Sequence, residues 1–174
     1  YAPTFRKGQI FDPKGIVDAF DFNGRQQLII KRHPNQRLNE ENLGQAMTCD
    51  EVPTSTVLSV CDCVITDYSA ITIEAAILKK PVYFYLFDYE DYLSRNGLNV
   101  LLSDEFPDSV FTSPDKLFDS IENGTYDFDN YRRFCEKYLP AQSGRATDKI
   151  AALIIDCMEK DKHEAISERI SKQN

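Results

Sequence analysis

The chain has 174 residues, of which 42% are hydrophobic and 28% charged, a composition that allows one domain with a real core and excludes a disordered polymer. A formal net charge of −8 argues against a broad nucleic-acid-binding surface, although a local pocket on an acidic protein can still hold a small anion. No apolar run approaches the roughly 20 residues that a membrane-spanning helix needs, and no signal peptide is visible.

The sequence starts at Tyr1 with the character of a folded domain already under way, so it is expected to be a piece of something longer. "GRQQLIIKRHP" ends a turn at Gly24 and then reads as a buried strand near Leu28–Lys31, stopped by Pro34. Pro53 opens "PTSTVLSV", a helix with Thr54 or Ser55 near the cap and Val57, Leu58 and Val60 as its inner face. "CVIT" is a short buried strand, and "AITIEAAILKK" is a helix with Ile73, Ala76 and Ile77 inward, ending before Pro81. "PVYFYLF" reads as a third strand from its β-branched and aromatic residues.

"DYEDYLSRNG" predicts a short helix stopped at Gly97. "SPDKLFDSIENG" predicts another, from Ser113-Pro114 to Gly124, with Leu117, Phe118 and Ile121 as its apolar stripe. "FDNYRRFCEKYL" and "ATDKIAALIIDCMEK" are two further amphipathic helices. The main body is therefore expected over 1–160, with 161–174 as a fraying tail or an extension of the last helix. Strands alternating with helices at this rhythm predict an α/β fold with a parallel sheet, in which ligands bind outside the carboxyl ends of the strands.

That rule puts His33-Pro34 and Thr66-Asp67-Tyr68-Ser69 on one rim, as the ends of two different strands. Ser69 either caps the following helix or donates to an anion at its amino end; the residue alone leaves both readings open. Glu74 interrupts an apolar helix face, and a carboxylate there can accept from both hydroxyls of a ribose or simply face water. His33 can donate to a diphosphate, and Lys31 lies on the same side of the strand, giving a modest cationic pair. Arg6 is a further anion candidate, and Lys7, Arg32 and Arg37 add positive charge to the same third of the chain.

The five cysteines, Cys49, Cys61, Cys63, Cys135 and Cys157, form no CxxC pair and read as reduced, buried structural thiols. No metal site and no cofactor are expected, because His33 and His163 are the only histidines available as partners. The aromatic run "YFYLFDYEDY" reads as a buried strand followed by an amphipathic segment rather than a base-stacking surface. GxGxxG, P-loop and GxSxG motifs are all missing.

Four blocks occur in order: "YAPTFR" at 1–6, "KRHP" at 31–34, "CDCVITDYSAITIEAAILKKPVYFY" at 61–85 and "FDYEDY" at 87–92. Together they resemble the carboxy-terminal region of the CDP-glycerol glycerophosphotransferases, the teichoic-acid primases and polymerases of Gram-positive bacteria. "SGRATDKIAALI" at 143–154 continues the resemblance more faintly. It implies the carboxy-terminal half of a GT-B fold, a Rossmann-like parallel sheet with helices on both faces. The half would bind a CDP-glycerol or CDP-ribitol donor and work with an amino-terminal half that lies outside this chain. The implied reaction passes polyol phosphate to a lipid-linked or glycopolymer acceptor and releases CMP, in the cytoplasm at the inner face of the cell membrane. By position, His33 would contact the donor phosphates as the catalytic residue, with Arg6 and Lys31 as companions. Thr66, Asp67, Tyr68 and Ser69 would form the phosphate-side loop, and Glu74 would bind ribose. The family's proposed catalytic base lies in the other half, and "SDEFPDSVF" departs from the Pro-Gly-Pro usual after the aromatic block. Alone, the fragment is expected to bind a nucleotide weakly and to catalyse nothing.

Overall fold

The computed structural model describes residues 1–139 and 144–171, with side chains as far as residue 160. The last three residues of the expected tail, 172–174, lie outside the described residues. The chain divides into two compact units, Tyr1–Tyr138 and Leu139–Asn174.

The first unit is built on parallel strands. β1 (Ile10–Phe11) pairs with β3 (Arg37–Leu38) in a small ribbon of its own. β2 (Ile29–Ile30) pairs with β4 (Met47–Thr48), and β5 (Val64–Thr66), β6 (Val82–Tyr85) and β7 (Val110–Phe111) pair in succession, all parallel. Tyr1 and Ala2 join these last two groups into one sheet. The Tyr1 nitrogen donates to the Ile29 carbonyl at 2.5 Å, and the Lys31 N–H donates back to the Tyr1 carbonyl at 2.9 Å. On the other side Ala2 N–H donates to Ile65 at 2.8 Å, and Ala2 bridges Thr66 in parallel.

The spatial order is therefore β4, β2, Tyr1–Ala2, β5, β6, β7. Counted along the chain from Tyr1–Ala2, this is the 3-2-1-4-5-6 order of a doubly wound sheet. The order reverses between Tyr1–Ala2 and β5.

The pleat then sorts the core. Ile65 and Tyr83 face one side, where they pack with Ile16 and Val17 of α1 (Lys14–Ala19) and Leu117 and Phe118 of α6 (Pro114–Glu122). Phe84, one residue along β6, faces the opposite side. There Phe84, Phe106 and Phe134 form a chain of rings with centres 4.9 and 4.8 Å apart, carrying α5 (Leu102–Glu105) and α7 (Phe128–Tyr138). α3 (Ile71–Ile77) joins this side, where the Tyr131 hydroxyl of α7 donates to the Ala76 carbonyl at 3.0 Å.

The expected start residues of α2 (Thr54–Val60) and α6, around Pro53 and Ser113, make no side-chain cap bond, while an unforeseen cap and an expected stop are present elsewhere. Asp127 caps α7 by accepting from the N–H groups of Asp129 and Asn130 at 2.7 and 3.1 Å. α4 (Tyr89–Asn96) ends on Gly97, whose φ of 68° suits a residue without Cβ.

Three expectations are corrected. α2 (Thr54–Val60) buries only Leu58, and Val60 is 72% exposed. α3 buries Ile71, Thr72, Ala75 and Ala76 and turns Ile77 outward, because Tyr131 sits over the 75–76 carbonyls. None of the five cysteines is fully buried; burial is greatest around Cys63, where it pushes the thiol up to about 11. In the second unit α8 runs Ala146–Ser171, so the residues from 161 to 171 extend the last helix, and Ile150, Leu153, Ile154 and Met158 are exposed along it.

Candidate functional site

The carboxyl ends of Tyr1–Ala2 and β5 flank the point where the strand order reverses, and a doubly wound sheet opens its ligand crevice there. Four segments meet at this rim: Thr4–Arg6, His33–Gln36, Thr66–Ser69 and Phe87–Tyr92.

Their centre is Asp67, which is fully buried. Oδ1 accepts from the Thr4 N–H at 2.8 Å, the Thr4 hydroxyl at 2.5 Å and the Tyr68 N–H at 2.7 Å, while Oδ2 accepts from Arg6 Nη1 at 2.9 Å. A carboxylate can sit in the interior only when its lone pairs are satisfied in this way. Arg6 spends the rest of its fork on Asp88, with Nε to Oδ2 at 2.7 Å and Nη2 to Oδ1 at 2.9 Å, and on the Thr4 carbonyl at 2.9 Å. Its guanidinium carbon lies 5.1, 5.6 and 5.9 Å from the ring centres of Phe87, Tyr92 and Tyr68. Burial works against the Arg6 charge, but the hydrogen bonds to Asp88 and the charge of Asp67 outweigh it, so its pKa is raised. Burial, followed by the Asp88 charge, pushes the Tyr68 phenol upward as well, and its hydroxyl donates to Asp88 at 3.3 Å.

Arg6 thus bridges the two carboxylates, Asp67 and Asp88. Thr66 is also internal, its hydroxyl donating to the Ala2 carbonyl at 2.7 Å. Lys31 ties down the loop after β4, its ammonium donating to the carbonyls of Cys49 and Asp50 at 3.1 and 2.8 Å.

Other groups at the rim remain available. His33 is exposed, and its ring stacks on Phe5 with centres 5.1 Å apart, which brings it to the Thr4–Arg6 segment. Its Nδ1 accepts from the Asn35 N–H at 3.2 Å, so the neutral ring carries its proton on Nε2. Ser69 Oγ accepts from the Ile71 N–H at 3.3 Å and keeps its own proton to donate. Among the described residues the Ser69 and Ala70 N–H groups have no protein acceptor. Glu74, on the exposed face of α3, has no side-chain partner among the described residues.

Thr4, Gln36, Asp88 and Tyr92 are the members that sequence reasoning missed. Gln36 is buried, accepts from the Arg6 N–H at 2.8 Å and donates to the Gln9 carbonyl at 2.7 Å. Asp88 had a signal, since it stands just past a strand's carboxyl end. No such cue marked Gln36. A groove of about 430 Å³ is lined by Gln26–Ile29 and Asp62–Ile65, with Lys31 and Ile71 also on its wall. No cluster of metal-ligating side chains occurs among the described residues.

The sequence profile described as CDP-glycerol:poly(glycerophosphate) glycerophosphotransferase matches residues 1–156. The chain is 30% identical over 163 residues to a teichoic acid ribitol-phosphate polymerase, TarK, of Staphylococcus aureus, covering 86% of this chain and 32% of that protein. It is 26% identical over 163 residues to a teichoic acid glycerol-phosphate primase of Bacillus spizizenii, covering 88% of this chain and 42% of the primase. A solved structure of the wall teichoic acid polymerase TagF has a similar fold, with a TM-score of 0.65 at 20% identity, over 92% of this chain and 44% of that one. The chain spans less than half the length of each of these relatives.

Proposed function

Because the chain belongs to the CDP-glycerol:poly(glycerophosphate) glycerophosphotransferase family, we propose that it is the donor-nucleotide half of a GT-B-type transferase, one of two Rossmann-like halves around a cleft. The ligand at its rim is a CDP-polyol, CDP-glycerol or CDP-ribitol. The complete protein passes the polyol phosphate to a hydroxyl of a teichoic-acid-type acceptor, lipid-linked or already a glycopolymer. The observation that carries this reading is the set of donors without a partner among the described residues, His33 Nε2–H, the Ser69 hydroxyl and the Ser69 and Ala70 amides, at a switch-point crevice.

In the transfer, the acceptor oxygen bonds to the polyol-bearing phosphorus. The bond from that phosphorus to the bridging oxygen breaks, and its electron pair leaves on CMP. Negative charge grows on the leaving phosphate, where fixed N–H and O–H donors stabilise it most. His33 and Ser69 supply those donors on this reading, and Glu74 accepts from the ribose hydroxyls. Arg6, Lys31, Thr66, Asp67 and Tyr68 shape the rim rather than contact phosphate. The base that takes the acceptor's proton belongs to the other half. No described helix is long and apolar enough to cross a membrane. Contact with the inner membrane face is therefore proposed as peripheral.

Glu74 offers the test. The wild-type chain is expected to prefer CDP over 2′-deoxy-CDP, and Glu74→Ala to lower CDP affinity by about tenfold, the scale of one hydrogen bond to a charged group. Because Glu74 is exposed, the unfolding midpoint should stay within experimental error of wild type. Equal binding of the two nucleotides by wild type contradicts the ribose role.

A further inference from the structure

The Asp67–Ser69 loop is held from outside itself. α4, the helix that follows β6, has no fully buried residue, so core packing does little to fasten it. Contacts of Asp88 and Tyr92 do that work. Asp88, at its amino end, receives Arg6 Nε and Nη2 at 2.7 and 2.9 Å. Tyr92, one turn along, stacks on Tyr68 with ring centres 3.8 Å apart and planes 14° apart. Both contacts end on the loop, since Arg6 holds Asp67 and Tyr68 belongs to the loop.

We propose that Asp88 and Tyr92 are positioning residues, and that α4 is a clamp whose docking is coupled to donor binding at the Asp67–Ser69 loop. The ligand half of this inference rests on the donor reading above; the mechanical half does not. An element with few buried apolar contacts opens at low cost, and when α4 opens, Arg6 loses its bidentate partner and Tyr68 its stacking partner. The amides of Ser69 and Ala70 are then no longer held in place. Linkage makes the effect reciprocal: a ligand that needs the ordered loop favours the docked helix, and loosening the helix weakens the ligand by the same factor.

Asp88→Asn removes the ion pair while keeping shape, and Arg6 retains Asp67. Tyr92→Leu removes the stack. Tyr92→Phe keeps it, and the Tyr92 hydroxyl makes no hydrogen bond among the described residues, so this variant should match wild type.

Amide hydrogen exchange without nucleotide is expected to speed up at 89–96 and, together with it, at Thr4 and Tyr68, whose N–H groups donate to Asp67, in both Asp88→Asn and Tyr92→Leu. CDP affinity should fall by about tenfold, inside the range typical of coupled sites. The unfolding midpoint should fall by less than in Arg6→Ala, because Arg6 keeps Asp67 in both variants. Faster exchange confined to 89–96, with the Thr4 and Tyr68 amides unchanged, overturns the coupling whatever the nucleotide does. Failure of the wild-type protein to bind CDP overturns the donor reading and the ligand half of the clamp, and the exchange result still decides the mechanical half.

Discussion

Arg6→Ala is expected to destabilise the first unit by about 3–5 kcal/mol, the range for removing one partner of a buried ion pair. Asp67 is wholly buried, and with Arg6 gone its Oδ2 faces no cation, although Thr4 and Tyr68 still hold Oδ1. Asp88 keeps 18% of its side-chain surface and can turn to water, so most of the loss falls on Asp67. Urea unfolding measures it as a lower midpoint at unchanged slope. Asp67→Asn in the Arg6→Ala background should recover part of the loss, since a neutral amide tolerates the site better than an unpaired charge. A loss under about 1 kcal/mol would mean that the three remaining donors are enough to solvate the carboxylate.

Phe106→Ala is expected to cost about 3–5 kcal/mol, the usual cost of emptying a large aromatic site in a core. Phe106 is 1% exposed and stands between Phe84 of the sheet and Phe134 of α7. Removing it leaves a cavity bounded by two rings that are themselves held by their own elements, so the site collapses poorly. The same urea titration reports the loss. A drop of 1 kcal/mol or less would show that α7 closes onto the sheet when the ring is gone.

These two residues mark where sequence reasoning ran out. Phe106 lies in "SDEFPDSVF", a stretch with no periodicity, and its burial follows from α5 placing it between two other elements. Arg6 and Asp67 pair across 61 positions, a separation that no local pattern encodes. Read singly, Arg6 resembled an anion ligand; its aromatic surround and its two carboxylates become evident only in the fold.

What was legible depended on strong local chemistry. "PVYFYLF" became β6, and "SPDKLFDSIENG" became α6 with Leu117 and Phe118 buried, because β-branched runs and amphipathic stripes opened by a proline carry their own signal. Short helices were weaker. In α2 and α3, seven residues make about two turns, too few for apolar spacing to fix which face turns inward, so the spacing points Val60 and Ile77 inward while the fold exposes them. Two-residue strands such as β1, β3 and β7 arise from pairing with neighbours and leave no pattern to read. The rim itself could be located because carboxyl-end positions follow from the order of elements. How its members divide into brace and open donors depended on hydrogen bonds between segments far apart in the chain.

The central claim is that this rim binds a cytidine diphosphate donor through His33 and the 67–70 loop. Calorimetric titration of wild type and His33→Ala with CDP, UDP and GDP at matched ionic strength tests it most directly. The account predicts saturable binding of CDP in preference to UDP and GDP, weakened by about tenfold or more in His33→Ala, as expected for loss of a hydrogen bond to a charged phosphate. Equal binding of all three nucleotides, or CDP binding that ignores His33, would contradict it.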